Sequence, residues 1–233
     1  AGLSAFAAPL GLIETCASSY AGQIPLILKI NSSNSLSRNT DAPTQAITGS
    51  ISEAIRLGCS AIGFTIYPGS DDSLNMMSEI QELSAEAKSY GLAVVIWSYP
   101  RGGNISKEGE TAIDIVSYAA HMAALIGAHI IKVKPPTEFL EDSNAKKVYV
   151  DNNIPISILR DRIKNVVDSC FKGKRIVIFS GGSAKDTEGL LNEIREIHKG
   201  GGFGSIIGRN SFQRPKKEAL VLLSQIIDIY KGK

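Results

Sequence analysis

Residues Tyr118–Pro136 read YAAHMAALIGAHIIKVKPP. An amphipathic run that begins at Gly109 stops at Gly127 and gives way within two residues to the β-rich segment His129–Lys134. Glycine takes the left-handed C-cap conformation without steric cost, so helix, glycine and buried strand in succession read as one step of a βα repeat. The succession occurs four times in all. The other helices are predicted at Ala46–Leu57, Ser73–Tyr90 and Thr187–Lys199, ending at Gly58, Gly91 and Gly200. Strands are predicted at Leu3–Ala8, Leu26–Asn31, Ala61–Tyr67, Ala93–Tyr99, His129–Lys134, Arg175–Ser180 and Gly204–Gly208. This alternation predicts an α/β fold around a parallel sheet. Its length suits a (β/α)8 TIM barrel, with about seven of the eight strands in this chain. The Ser/Asn/Asp-rich stretch Asn31–Thr48 reads as loop, a missed strand being the alternative. Pro135–Pro155 reads as a surface excursion after the fifth strand that holds one helical turn.

The composition narrows the function classes. With 43% apolar and 21% charged residues, the 233-residue chain is globular rather than disordered. Its 25 basic and 23 acidic residues leave a charge of +2, too balanced for a surface that neutralises many nucleic-acid phosphates, so any basic site is local. Cys16, Cys59 and Cys170 match neither a disulfide framework nor a metal-ligand spacing, which points to a reducing, cytoplasmic setting. The longest apolar runs fall far short of the roughly 20 residues of a membrane helix. Ala1–Pro9 is apolar but has no basic leader, and it reads as a buried strand rather than a signal segment. No low-complexity linker interrupts the chain, so residues 1–233 are expected to form a single domain.

Three strand exits carry chemistry. In Ile130-Ile131-Lys132-Val133-Lys134, alternation places both lysines on one face of the strand. If Ile131 and Val133 pack under helices, the lysines face the C-terminal end where barrel sites lie. Desolvation and a like charge would then disfavour the ammonium form and leave a usable amine nucleophile. Snorkelling into solvent is the other reading. In Trp97-Ser98-Tyr99-Pro100-Arg101, the aromatic and guanidinium groups share a face: a tyrosine for proton transfer, a tryptophan wall and an arginine fork for phosphate. The aromatics could equally serve as filling. The third exit, Phe179-Ser180-Gly181-Gly182-Ser183, and its successor Ile207-Gly208-Arg209 offer backbone N–H groups to an anion. Paired glycine exits after the last two strands are where such barrels bind phosphate, although Arg209 could also be a solvated loop cation. His121, His129 and His198 lie apart from one another and from other ligands, so no metal site is expected.

The stretches WSYPRG (97–102), GNISKEGETA (103–112), YAAHMAALIGAHIIKVKPP (118–136), IVIFSGGSAKDT (176–187) and GGGFGSIIGRNSFQRP (200–215) resemble class I fructose-bisphosphate aldolases. The likeness is to the archaeal and bacterial DhnA-type branch, and it runs from about Leu3 to Pro215. It implies a metal-independent Schiff-base aldolase that needs no cofactor, acts on a sugar phosphate and forms a homo-oligomer. Lys132 takes the place of the family's Schiff-base lysine, with Lys134 as a neighbour that helps keep it neutral. Tyr99 matches the proton-transferring tyrosine and Trp97 the substrate-contacting tryptophan. Ser180, Gly181, Gly182, Gly208 and Arg209 match the phosphate-binding segments, and Arg101 is a second phosphate contact. The family's acid/base aspartate closes its first barrel strand. It has no counterpart before Leu3, which implies a fragment that starts at the family's second strand, or else a barrel closed in another way. A Schiff-base enzyme acting on another phosphorylated sugar, and a non-catalytic phosphosugar-binding barrel, are the competing readings.

Overall fold

The computed structural model describes residues 2–20, 22–34, 36, 42–180 and 186–232. The chain divides into two compact units. One holds Ser4–Ile105 and Met122–Ile131; the other holds Ala1–Leu3, Ser106–His121 and Lys132–Lys233.

The first unit carries β1 (Phe6–Pro9), α1 (Leu10–Tyr20), β2 (Leu26–Lys29), β3 (Asn31–Ser32), β4 (Ala46–Ile47), α2 (Ile51–Arg56), β5 (Ala61–Ile66), α3 (Ser73–Ser89) and β6 (Ala93–Ser98). Strands β1, β2, β5 and β6 lie side by side in parallel. Every residue of β5 is buried, the signature of a parallel strand covered on both faces. The register pairs Leu28 with Ile62 and Ile62 with Val94, and one step on it pairs Phe64 with Ile96. That face packs against Met76, Ile80 and Ala87 on the inner stripe of α3. Full burial of a side chain such as Phe64 contributes about 1.5–3 kcal/mol. The opposite face carries Ile27 and Lys29 of β2, Gly63 and Thr65 of β5, and Val95 and Trp97 of β6.

The second unit carries a 3-10 turn at Gly109–Thr111, α5 (Ser143–Asp151), α6 (Leu159–Ser169), β8 (Ile176–Ser180), α7 (Thr187–Lys199), β9 (Gly204–Ile206), α8 (Arg209–Phe212) and α9 (Lys216–Tyr230). α4 (Ile113–Leu125) and β7 (Ile130–Val133) each give part of their length to either unit. β8 and β9 pair in parallel from Ile178↔Gly204 to Ser180↔Ile206. Leu190, Ile194 and Ile197 of α7 form a buried stripe, and Ile163, Val166, Phe179 and Ile226 are buried in the same unit. A Cβ at Gly202 would lie 2.5 Å from Ile197 Cγ2, so the turn into β9 requires glycine.

All seven predicted parallel strands are present, each within a few residues of its expected bounds. β1 begins at Phe6 rather than Leu3, and only Ala8 in it is fully buried. β9 stops at Ile206, because Gly208 already caps α8. Other expectations need correction. The helix predicted at Ala46–Leu57 starts only at Ile51, where Ser50 and Glu53 form a reciprocal capping box. Ala46–Ile47 pairs instead with Asn31–Ser32 in a two-stranded antiparallel ribbon, so the stretch read as loop holds short strands that lie outside the parallel sheet. The helix predicted from Gly109 is a 3-10 turn broken at Ala112 (ψ 141°) before α4 starts. The excursion Pro135–Pro155 contains the nine-residue α5 rather than one turn, with the Asp142 carboxylate accepting from the Ala145 N–H at 2.8 Å. Gly58, Gly91 and Gly127 take positive φ after their helices as expected, whereas after α7 that conformation falls on Gly201, one residue beyond Gly200.

Candidate active site

Lys132 occupies the third position of β7, between Ile131 and Val133, which are fully buried. It is itself only 9% exposed. Burial alone lowers its ammonium group to a pKa of about 8, because an apolar surround disfavours the charged form. The expected like-charge contribution of Lys134 is absent from the causes of that shift. Lys134 Nζ is paired with Glu110 Oε2 at 3.1 Å, and Lys107 holds the other carboxylate oxygen at 2.9 Å. Burial pushes the Glu110 carboxyl up, but hydrogen bonds and charge from the two lysines outweigh it and keep the group below its ordinary value. Lys134 is therefore a compensated cation.

In the same unit, Ser180 closes β8 half-buried, its hydroxyl donating to the Val133 carbonyl at 3.4 Å. Gly181 and Gly182 lie outside the described residues. Gly208 precedes α8, and its carbonyl accepts from the N–H groups of Ser211 and Phe212 at 2.9 and 3.0 Å. A Cβ at Gly208 would meet nothing within 4 Å, so the chain there borders open space. Arg209 is exposed.

The first unit positions Trp97, Tyr99 and Arg101. Trp97 lies across β5, where a Cβ on Gly63 would fall 2.1 Å from its ring, so Gly63 is the space the indole occupies. The Tyr99 N–H donates to the Ile66 carbonyl at 3.0 Å, extending the ladder past β6. Burial raises the Tyr99 phenol well above its ordinary value; the nearby Arg101 charge opposes this and Tyr67 adds to it. The phenol is therefore protonated at neutral pH. The Arg101 guanidinium stacks 4.8 Å from the Tyr67 ring centroid, and its Nε is buried without a hydrogen-bond partner.

The sequence reading missed a polar group in the first unit. Lys29 ends β2, Asn31 and Gln45 are buried beside it, and Tyr67 follows β5. Burial lowers Lys29 to a pKa of about 8 as well. A single lysine closing the Leu-Ile-Leu-Lys strand is the available signal, although its partners cannot be read from the strand itself. His129 has a structural role. Its ring Nδ1 accepts from the Val94 N–H at 3.0 Å, and its backbone N–H donates to the Val94 carbonyl at 2.9 Å. Among the described residues no group of three His, Cys, Asp or Glu side chains could hold a metal ion, and no helix is long and apolar enough to cross a membrane.

A parallel α/β sheet with a desolvated lysine near the C-terminal end of a strand fits one class, the Schiff-base enzymes built on β/α barrels. The profile of the DeoC/LacD family aldolases matches residues 1–214, and the chain belongs to that family. The fructose-bisphosphate aldolase class 1 of Thermoproteus tenax is 34% identical over 216 residues, covering 92% of this chain and 71% of that one. The crystal structure of an archaeal fructose 1,6-bisphosphate aldolase superposes with a TM-score of 0.81 at 31% identity, over 100% of this chain and 80% of the other. A solved structure of an archaeal fructose-1,6-bisphosphate aldolase with the catalytic lysine covalently bound to the carbinolamine intermediate of the substrate gives 0.78 at 31% identity over 97% and 79%. These likenesses establish the α/β barrel class, of which this chain contributes seven parallel strands.

Proposed function

We propose that this chain is a class I fructose-bisphosphate aldolase in which Lys132 forms the Schiff base, all of residues 1–233 acting as one domain. The neutral amine adds to the ketone carbon of fructose 1,6-bisphosphate, water leaves, and an iminium results. The C3–C4 bond then breaks as the C4 hydroxyl gives up its proton to solvent and the electron pair of the bond moves into the iminium. Glyceraldehyde 3-phosphate departs and an enamine remains. Protonation at C3 and hydrolysis release dihydroxyacetone phosphate and regenerate the amine; the reverse sequence makes the bond. Tyr99, kept protonated by burial, is the acid that supplies the enamine carbon. Trp97 walls the substrate. Ser180, Gly181, Gly182, Gly208 and Arg209 take one phosphate, and Arg101, with its unpartnered Nε, takes another. A homo-oligomer in the cytoplasm, working in glycolysis and gluconeogenesis, belongs to the same reading, supported by the unpaired cysteines and by the family's oligomeric habit.

The observation that carries this reading is the burial of Lys132 with its lowered pKa. A cleavage assay tests it. Fructose 1,6-bisphosphate is expected to be split in the presence of excess EDTA, and Lys132→Met to lose at least a thousandfold in rate, as loss of a covalent nucleophile does. Chelator-sensitive cleavage, or a fully active Lys132→Met, would overturn it.

A further inference from the structure

Lys29 closes β2 on the sheet face that also bears Trp97, since the register pairs Lys29 with Gly63 and Thr65 with Trp97. Its ammonium group donates only to neutral oxygens among the described residues: the Asn31 carbonyl, and at 3.4 Å each Asn31 Oδ1 and Gln45 Oε1. No carboxylate there forms an ion pair with it. The acceptors are fixed in place. Asn31 is 1% exposed and is clipped to the β5 backbone in both directions, Nδ2–H to the Thr65 carbonyl and the Thr65 N–H to Oδ1, each at 2.8 Å. Gln45 is 7% exposed, and its Nε2–H donates to the Tyr67 hydroxyl at 2.6 Å. The Tyr67 ring in turn carries the Arg101 guanidinium, whose Nε has no partner.

One polar frame thus holds two cations, and among the described residues no carboxylate pairs with either. Sequestering a cation without a counter-charge is costly, and the cost is relieved when an anion arrives. A lysine point charge and an arginine fork, joined through Gln45 and Tyr67, suit a phosphate dianion. We propose that Lys29 is a specificity-determining residue that, with Arg101, binds the second phosphate of the ketose bisphosphate. This rests on the aldolase reading above. It adds a lysine that neither the motifs nor the lowered pKa of Lys132 required, and it explains why Asn31 and Gln45 are buried where they are.

Steady-state kinetics on fructose 1,6-bisphosphate and fructose 1-phosphate, with the intact protein, Lys29→Met and Lys29→Arg, tests the assignment. Lys29→Met should raise KM for the bisphosphate about ten- to a hundredfold, the worth of a charge-assisted contact. The rise for the monophosphate should be at least several times smaller, and Lys29→Arg should recover part of the loss. Equal losses on both sugars, or no loss, would overturn the proposal. If the intact protein cleaves neither sugar, the aldolase reading fails and a second measurement decides Lys29 alone. The protein is reductively methylated with 13C and titrated with inorganic phosphate, the Lys29 resonance being the one missing in Lys29→Met. Movement of that resonance with phosphate supports an anion site there; a stationary resonance refutes it.

Discussion

At Lys132 the decisive quantity is the fraction of neutral amine. With a pKa of about 8, roughly a tenth of the side chain is uncharged at pH 7, against about one part in 3,000 for an ordinary lysine. The rate of Schiff-base formation should therefore climb with pH and level off above about 8. A profile still rising steeply at pH 10 would show that the amine is not desolvated in solution. The same shift bears on stability. The folded state binds this proton more weakly than the unfolded chain, so the penalty is fully present below pH 8 and vanishes as pH rises toward 10.5. Lys132→Met should accordingly stabilise the fold at pH 7 by about 2–3 kcal/mol, measured by urea denaturation, and by much less at pH 10.5. A destabilised variant at pH 7 would contradict this. Lys132 is legible in the sequence because fully apolar neighbours alternate with it in a short strand. Lys29 is not, because its partners Asn31, Gln45 and Tyr67 come from three separate segments, and only the folded chain brings them together.

At the scale of elements, β5 and β6 are matched through a missing side chain. Trp97 occupies the space that Gly63 leaves open. Gly63→Ala should displace the indole, cost about 1–3 kcal/mol by overpacking, and shift the fluorescence of Trp97, the only tryptophan. An unshifted spectrum with unchanged stability would show that the ring does not lie over β5. The strands were readable because buried parallel strands are short, nearly continuous apolar runs, as Ala61–Ile66 illustrates. The ribbon of Asn31–Ser32 with Ala46–Ile47 was not readable, since two-residue strands of mixed polarity carry no period. The helix starts misplaced at Ala46 and Gly109 have a related cause. The capping box at Ser50 and the 3-10 turn before Ile113 cut into segments whose helical pattern alone runs further.

Over the whole chain, the family likeness covers both compact units, and the chemistry it brings relies on an amine rather than an ion. Dialysis against EDTA should leave cleavage activity within about twofold of the untreated protein, as expected when covalent catalysis replaces a Lewis acid. A loss restored by added divalent metal would contradict that. The strand exits that follow β8 and β9 are legible as glycine-bearing runs, of which Gly208 lies among the described residues and Gly181 and Gly182 lie outside them. The role of Lys134 was misjudged for a physical reason: strand alternation reveals which side chains share a face, but not that Glu110, 24 positions away, neutralises one of them.

The most direct measurement is reduction with sodium borohydride in the presence of fructose 1,6-bisphosphate, followed by mass analysis of the peptides. A reduced sugar-phosphate adduct on Lys132, absent without the sugar, is the predicted result. An adduct on another lysine such as Lys29 or Lys134, or no adduct in a protein that cleaves the sugar, would contradict the assignment of the reacting amine.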